Sequence, residues 1–309
     1  MTYSQGGLIQ ATDYNTFAQG GASVNHGVAN INTVWGTGSG DKGYGQTSTL
    51  SAVSTSNTVT ATQWSTMIAR LNSILTHQAG SGSGITAPVA GNTITFLSTL
   101  SSNITTGFNN RLNFTSNGSD AAATGSVNTS WTTNGSALTI TRTATFGSAD
   151  QARYFFNAGG KLIVNFGATN NQGNSKGNDW VSLLGTKLDN IVIGGYTNSR
   201  GGTGGSVVSS NTALGYWNAG TTNNKILELT SASGTADYGN NKIEVFIRTN
   251  GVQGSNGDVG NVVSVVLTVT DVAADSFDDQ VNLTINTTWT KRPPETTNLA
   301  DTWGTPTYG

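Results

Sequence analysis

Residues 241–249 read NKIEVFIRT, with Ile243, Val245 and Ile247 at every second position. A period of two puts alternate side chains on opposite faces of an extended chain. The stretch therefore predicts a strand with one apolar face. Working outward, ALTITRTATF (137–146) alternates in the same way. KLIVNFG (161–167), NIVIGG (190–195) and KILELT (225–230) are short apolar runs, and VVSVVLTVTD (262–271) and VNLTINTTWT (281–290) close the series. Clusters rich in Gly and Asn separate them, including NQGNSKGND (171–179) and TNGVQGSNGD (249–258), and both are expected as turns. Seven or more such strands predict a mainly β protein, with an antiparallel β-sandwich over residues 122–309. Pro293-Pro294 interrupts strand pairing, and the remainder, ETTNLADTWGTPTYG, is expected as a tail of that domain.

The grammar before residue 122 is different. LIQATDYNTF (8–17) and TVTATQWSTM (58–67) align without a gap, Tyr14 on Trp64 and Phe17 on Met67. In the second copy Trp64, Met67, Ile68, Leu71 and Leu75 recur at helical spacing, preceded by a T-x-x-Q capping box at Thr60 and Gln63. In the first, Thr12 or Asp13 is expected to cap a weaker helix that resumes through Val28, Ile31, Val34 and Trp35. The repeat predicts one helix start used twice, with the two aromatic faces packed together; chance similarity in a low-complexity chain is the alternative. Leu97, Leu100, Ile104, Phe108 and Leu112 mark a third helix, which Gly107 weakens. The expected organisation is a small helical module over 1–82, a linker plus helix over 83–121, and the sandwich over 122–309.

Composition narrows the function classes. Of 309 residues only 10% are charged, against about 25% in ordinary domains. Apolar residues make up 35%, and 41 glycines stand beside abundant Ser, Thr and Asn. A net charge of −2 with scattered Lys and Arg gives no electrostatic footprint for nucleic acid. No apolar run approaches the roughly 20 residues that span a bilayer, and MTYSQGGLIQ lacks the features of a signal peptide. The absence of cysteine removes thiolate and disulfide chemistry and suits an oxidising exterior.

Few residues are candidates for chemistry. GTGSGDKG (36–43) imitates a phosphate loop, but Asp41 replaces the Gly before Lys42 and Gly43 follows where Ser or Thr is needed. GGTGGS (201–206) lacks a strand-turn-helix setting, so both are expected as turns. His26 and His77 have no carboxylate or second histidine at ligand spacing. Asp271, Asp275, Asp278 and Asp279 cluster within nine residues and would suit calcium, or else form a solvated turn guarding a sheet edge. The three glutamates are Glu228, Glu244 and Glu295, and the first two are expected on a solvent face. Tyr216-Trp217 either stacks on a glycan or anchors its loop to the core. No cofactor is expected apart from that calcium.

Several segments carry a family resemblance together. They are ATDYNTF followed by INTVWGTGSGDKGYGQ, then VTATQWSTMIARLNSILTHQ, then ADQARYFFNAGGKLIVNF with the later DWVSLLG and VVLTVTDVAADSFDDQVNLTI. The chain resembles virion structural proteins of tailed phages, especially those infecting marine cyanobacteria, with residues 152–160 the most specific part. The resemblance implies a non-enzymatic building block on the particle exterior, made in the host cytoplasm, at the tail, baseplate or neck. It implies other virion proteins as partners and a homo-oligomer. In that setting Tyr14, Phe17, Trp35 and Trp64 are expected to dock the helical module, and the β-domain to be displayed. The alternatives are a glycan-binding adhesin and a head decoration or cement protein.

Overall fold

The computed structural model describes residues 10–19, 29–122, 127–133, 136–231, 238–251, 253–254, 257–258, 260–272 and 280–309. The chain forms two compact units. One contains the sandwich and takes Ser119–Ala152, Gly160–Pro293 and Thr305–Gly309. The other is helical and takes Met1–Gly118, Arg153–Gly159 and Pro294–Gly304.

The β unit is built from two antiparallel sheets. The first contains β1 (Ala121–Ala122), β2 (Val127–Thr133), β4 (Lys161–Asn170), β5 (Asn190–Ile193), β6 (Asn198–Arg200) and β13 (Val281–Arg292). Its order is β1-β13-β4-β5-β6, with β2 also on β13. The second contains β3 (Ala137–Thr145), β7 (Ser206–Ser210), β8 (Asn224–Thr230), β9 (Lys242–Thr249), β12 (Val262–Thr270) and β14 (Thr307–Tyr308). It is ordered β14-β3-β12-β9-β8-β7. A separate two-stranded pair joins β10 (Gln253–Gly254) and β11 (Gly257–Asp258).

The period of two decides the faces. In β13, Val281, Leu283, Ile285, Thr287, Trp289 and Lys291 are buried and every residue between is half-buried. β9 alternates likewise, with Ile243, Val245 and Ile247 inside. Each such aliphatic side chain contributes about 1.5–3 kcal/mol when removed from water. Central β12 departs from alternation, with Val263 through Leu267 all buried. Val266 lies opposite Thr141 on one side and Phe246 on the other, and those neighbours shield its outer face.

Helices enter this unit where turns were expected. NQGNSKGND is not wholly a turn, because α6 (Ser175–Ser182) starts inside it. Asn174 caps α6, its side chain accepting from Gly177 N at 2.8 Å. The apolar residues Trp180, Leu183 and Leu184 then continue at helical spacing and are buried. A π-helical turn (Leu183–Leu188) follows and ends at Asp189, a non-glycine residue at φ 58°.

In the helical unit, α1 (Ala11–Gln19), α2 (Ile31–Trp35), α3 (Ala61–Ala79) and α4 (Leu97–Asn109) pack together. The start of α3 is a full capping box: Thr60 N donates to Gln63 Oε1 at 2.7 Å and Gln63 N to Thr60 Oγ1 at 3.2 Å. At the start of α1, Gln10 N donates to Asp13 Oδ2 at 2.9 Å, half of the same device. Neither Thr12 nor Asp13 is the cap residue; the helix begins at Ala11, and Asp13 reaches back from the first turn. The aromatic faces meet as expected, with the Tyr14 and Trp64 rings edge-on at 5.5 Å and Phe17 at 6.5 Å from Trp64. Gly107 has a packing reason: a Cβ there would stand 3.2 Å from Ile74 Cγ2.

The unit boundaries are not those of three consecutive segments. Residues 83–118 belong to the helical unit, as do the last part of α5 (Ala149–Asn157) and Pro294–Gly304. The expected tail is not a tail of the sandwich, since Leu299 and Trp303 are buried in the helical unit and Thr307–Tyr308 pairs with β3.

Candidate functional site

The glycine-rich loop that imitates a phosphate site has the opposite polarity. A phosphate loop aims N–H groups inward. Here carbonyls converge, and α5 supplies the positive partner. Arg153 Nη1 donates to Thr37 O at 2.6 Å and Lys42 O at 2.8 Å. Asn157 Nδ2 donates to Gly40 O at 3.2 Å and Gly43 O at 3.1 Å. Both side chains are buried. Gly45, at φ 70°, lets the backbone run flat against the Tyr154 ring, where no Cβ fits.

Beside this loop lies a buried polar cluster. His77, fully buried in the last turn of α3, holds Glu295 Oε1 at 2.8 Å through Nδ1. Glu295 Oε2 accepts from Thr297 N at 2.6 Å and Asn298 N at 3.0 Å. Tyr44 packs edge-on against the imidazole at 5.2 Å, donates to Arg111 O at 2.7 Å and accepts from Gln78 Nε2 at 2.8 Å. Arg111 Nη2 pairs with Asp41 Oδ2 at 2.7 Å. Burial pushes the His77 imidazole below its usual range, against the opposing pull of Glu295. Burial also acts to raise the Glu295 carboxyl, but the hydrogen bonds from His77, Asn298 and Thr297 outweigh it and hold the group below its usual range. The fitting species is a neutral imidazole donating from Nδ1 to a carboxylate. Nothing in the sequence linked His77 to Glu295, which lie 218 residues apart.

In the β unit, Asp271 is buried and bound to Lys176 Nζ at 2.7 Å. That pairing answers its charge with an ammonium group on Oδ2. Asp275, Asp278 and Asp279 lie outside the described residues, as does His26. Among the described residues no three His, Asp or Glu side chains group to hold a metal. Nearby in sequence to Lys176, Asp179 Oδ1 accepts from Ser231 Oγ at 2.6 Å, and Lys187 Nζ donates to that hydroxyl at 3.0 Å. Ser231 is fully buried, so this trio ties α6 and the π-helical turn to the end of β8.

Glu228 and Glu244 face each other across β8 and β9. Lys225 Nζ bridges them at 2.6 and 2.5 Å, and Lys242 adds a contact to Glu244 at 3.3 Å. Burial acts to raise the Glu244 carboxyl, but the two ammonium groups outweigh it and keep it below its usual range. The sequence placed both glutamates on the outer face but gave no sign that they were paired.

The aromatic candidates turn inward. Tyr216 and Trp217 are 0% and 2% exposed, which rules out the exposed stacking platform a glycan requires. Tyr216 Oη donates to Gly260 O at 2.7 Å and its ring meets Trp217 edge-on at 4.9 Å, so the pair anchors its loop. Tyr14, Phe17, Trp35 and Trp64 are likewise buried within the chain and leave no aromatic surface for docking. Their period-3.6 pattern marked a core face, which sequence spacing does not distinguish from an interface.

Together these features define a class: a two-sheet antiparallel β unit and a helical unit closed by a buried polar cluster around His77 and Glu295. No described helix is long and apolar enough to cross a membrane. Compared with protein-family models, curated proteins and solved structures, the chain matches none.

Proposed function

We propose that this chain is a non-enzymatic structural component of a tailed-phage virion. The observation that carries this reading is the commitment of the chemistry-bearing side chains among the described residues to internal partners. All three glutamates and His77 sit in intramolecular pairs, as do Asp41, Asp179 and Asp271. A general acid or base must reach a substrate proton; these groups instead stitch distant chain segments together. The family resemblance supports the same reading, as does a chain rich in Thr, Asn and Ser. The tail, baseplate or neck is the favoured location, and the partners are other virion proteins and further copies of this chain. Attachment through Tyr14, Phe17, Trp35 and Trp64 forms no part of the proposal, and burial of Tyr216-Trp217 removes the observation that favoured an adhesin.

The test is quantitative mass spectrometry of purified particles, followed by localisation of the chain in a cryo-electron microscopy map. A fixed copy number per particle with density at the tail, baseplate or neck is the expected result. A chain found in infected cells but missing from purified particles would sink the proposal.

A further inference from the structure

The helical unit is closed by a strap, Pro294–Gly304, drawn from the far end of the chain. Among the described residues, four side-chain ties hold it. His77 Nδ1 meets Glu295 at 2.8 Å, Gln46 Nε2 donates to Ala300 O at 3.0 Å, Ala300 N donates to Gln46 Oε1 at 2.8 Å, and Thr302 Oγ1 donates to Tyr44 O at 2.9 Å. Glu295 also organises the strap itself through Thr297 N and Asn298 N. Asn117 forms an isolated bridge with Pro294, and the strap's Leu299 and Trp303 are buried.

The imidazole at the head of this strap has an unequal pair of nitrogens. Nδ1 is bound to Glu295, whereas Nε2 is buried and has no hydrogen-bond partner among the described residues. In the neutral tautomer Nε2 is a buried lone pair, which the fold tolerates. On protonation it becomes a charged N–H with nothing to receive it. The groups facing the ring are Glu295 from the strap and Tyr44 from the glycine-rich loop, with the Arg111–Asp41 pair behind Tyr44 and Gln78 beside it on α3. Among the described residues in direct contact with the ring, Glu295 carries the charge that favours the cation, and its contact is already made on the other nitrogen.

We infer that His77 is a pH-sensitive latch: proton uptake at its buried Nε2 releases the 294–304 strap from the helical unit. The sign follows from linkage. The released state takes up a proton near the ordinary histidine value of 6.5, whereas the latched state resists it. The latch is therefore complete above about pH 6.5 and weakens as pH falls through that value toward the lower pKa of the buried ring. Glu295, held below its ordinary 4.5, stays ionised across this window and does not confuse the readout.

The experiment is hydrogen exchange on the full chain at pH 7.5 and pH 5.0, expressed as protection factors so that intrinsic exchange chemistry cancels. The amides of Thr297, Asn298 and Ala300 are the reporters, with β12 amides as the internal reference. The expected result is at least a tenfold loss of strap protection at the lower pH, with β12 unchanged. In His77→Gln, whose amide can still donate to Glu295 but cannot titrate, strap protection should change less than twofold. Strap protection retained at pH 5.0 in the parent, or lost equally in His77→Gln, overturns the latch. Should that variant fail to fold, the His77 Hε1 resonance decides, assigned against His26→Asn: a titration midpoint above 6.5 overturns the inference, and a lower midpoint that tracks loss of strap protection upholds it.

Discussion

Lys176 and Asp271 each bury an ionic group, at 2% and 0% side-chain exposure, and their 2.7 Å contact offsets part of the cost of taking both charges out of water. Removing one partner leaves the other buried without its counter-charge across that contact. Lys176→Met or Asp271→Leu alone is expected to cost about 3–5 kcal/mol in urea unfolding, whereas the double variant should recover most of that loss. An additive double variant would show that the two groups act separately. Arg153 follows the same logic with carbonyls in place of a carboxylate. Arg153→Met leaves the Thr37 and Lys42 carbonyls without their donor, at about 1–3 kcal/mol each. Arg153→Lys should lie in between, because a single ammonium replaces a planar fork. Equal stability of Met and Lys variants by the same measurement would mean that the guanidinium geometry does not matter.

At the scale of elements, legibility followed how local the cause was. β9 and β13 were plain because their one-faced burial writes a period of two into the sequence. The start of α3 was plain because a capping box spans only four residues. α6 was hidden because its first turn is made of Asn, Ser, Lys and Gly, which also compose turns, and tertiary burial of Trp180 decides between them. The glycine-rich loop was correctly expected as a turn, but the carbonyl cradle within it needed Arg153, more than a hundred residues away. The candidate sites fared less well, since Tyr216-Trp217 and the four N-terminal aromatics are buried, and residue type alone does not report exposure. The β8–β9 pairing also makes a prediction. Like charges directly opposite repel, and Lys225 masks Glu228 from Glu244. Lys225→Met should destabilise the chain by less than about 1 kcal/mol at pH 7, because the site is partly exposed and screened. Glu244 is held below its ordinary value, so the pairing contributes above that range and fades as pH falls through it. The difference between variant and parent in thermal unfolding should therefore shrink at acid pH; a difference that grows there would exclude carboxylate repulsion as its cause.

At the scale of the whole molecule, the two units are interleaved along the chain rather than strung in sequence. The helical unit opens with the first residues, borrows seven from Arg153–Gly159, and closes only with Pro294–Gly304. On this composition the helical unit is not complete until residues 294–304 are in place. A chain ending at residue 293 retains every helix of that unit but lacks Leu299, Trp303 and the partners of His77 and Gln46. Losing the strap strips the last turn of α3 of the carboxylate that His77 holds. Hydrogen exchange in α3 should then accelerate at least tenfold relative to the full chain at pH 7.5, while α3 stays helical by far-UV circular dichroism. The same truncation removes β14, so β3 amides report separately on the loss of that short strand from the sandwich. Adding a synthetic peptide of residues 294–309 should restore α3 protection in a concentration-dependent manner, because the strap acts through non-covalent contacts. Unchanged α3 protection in the truncated chain would mean that the helical unit is complete without its C-terminal segment, and the nested order of assembly would have to be abandoned.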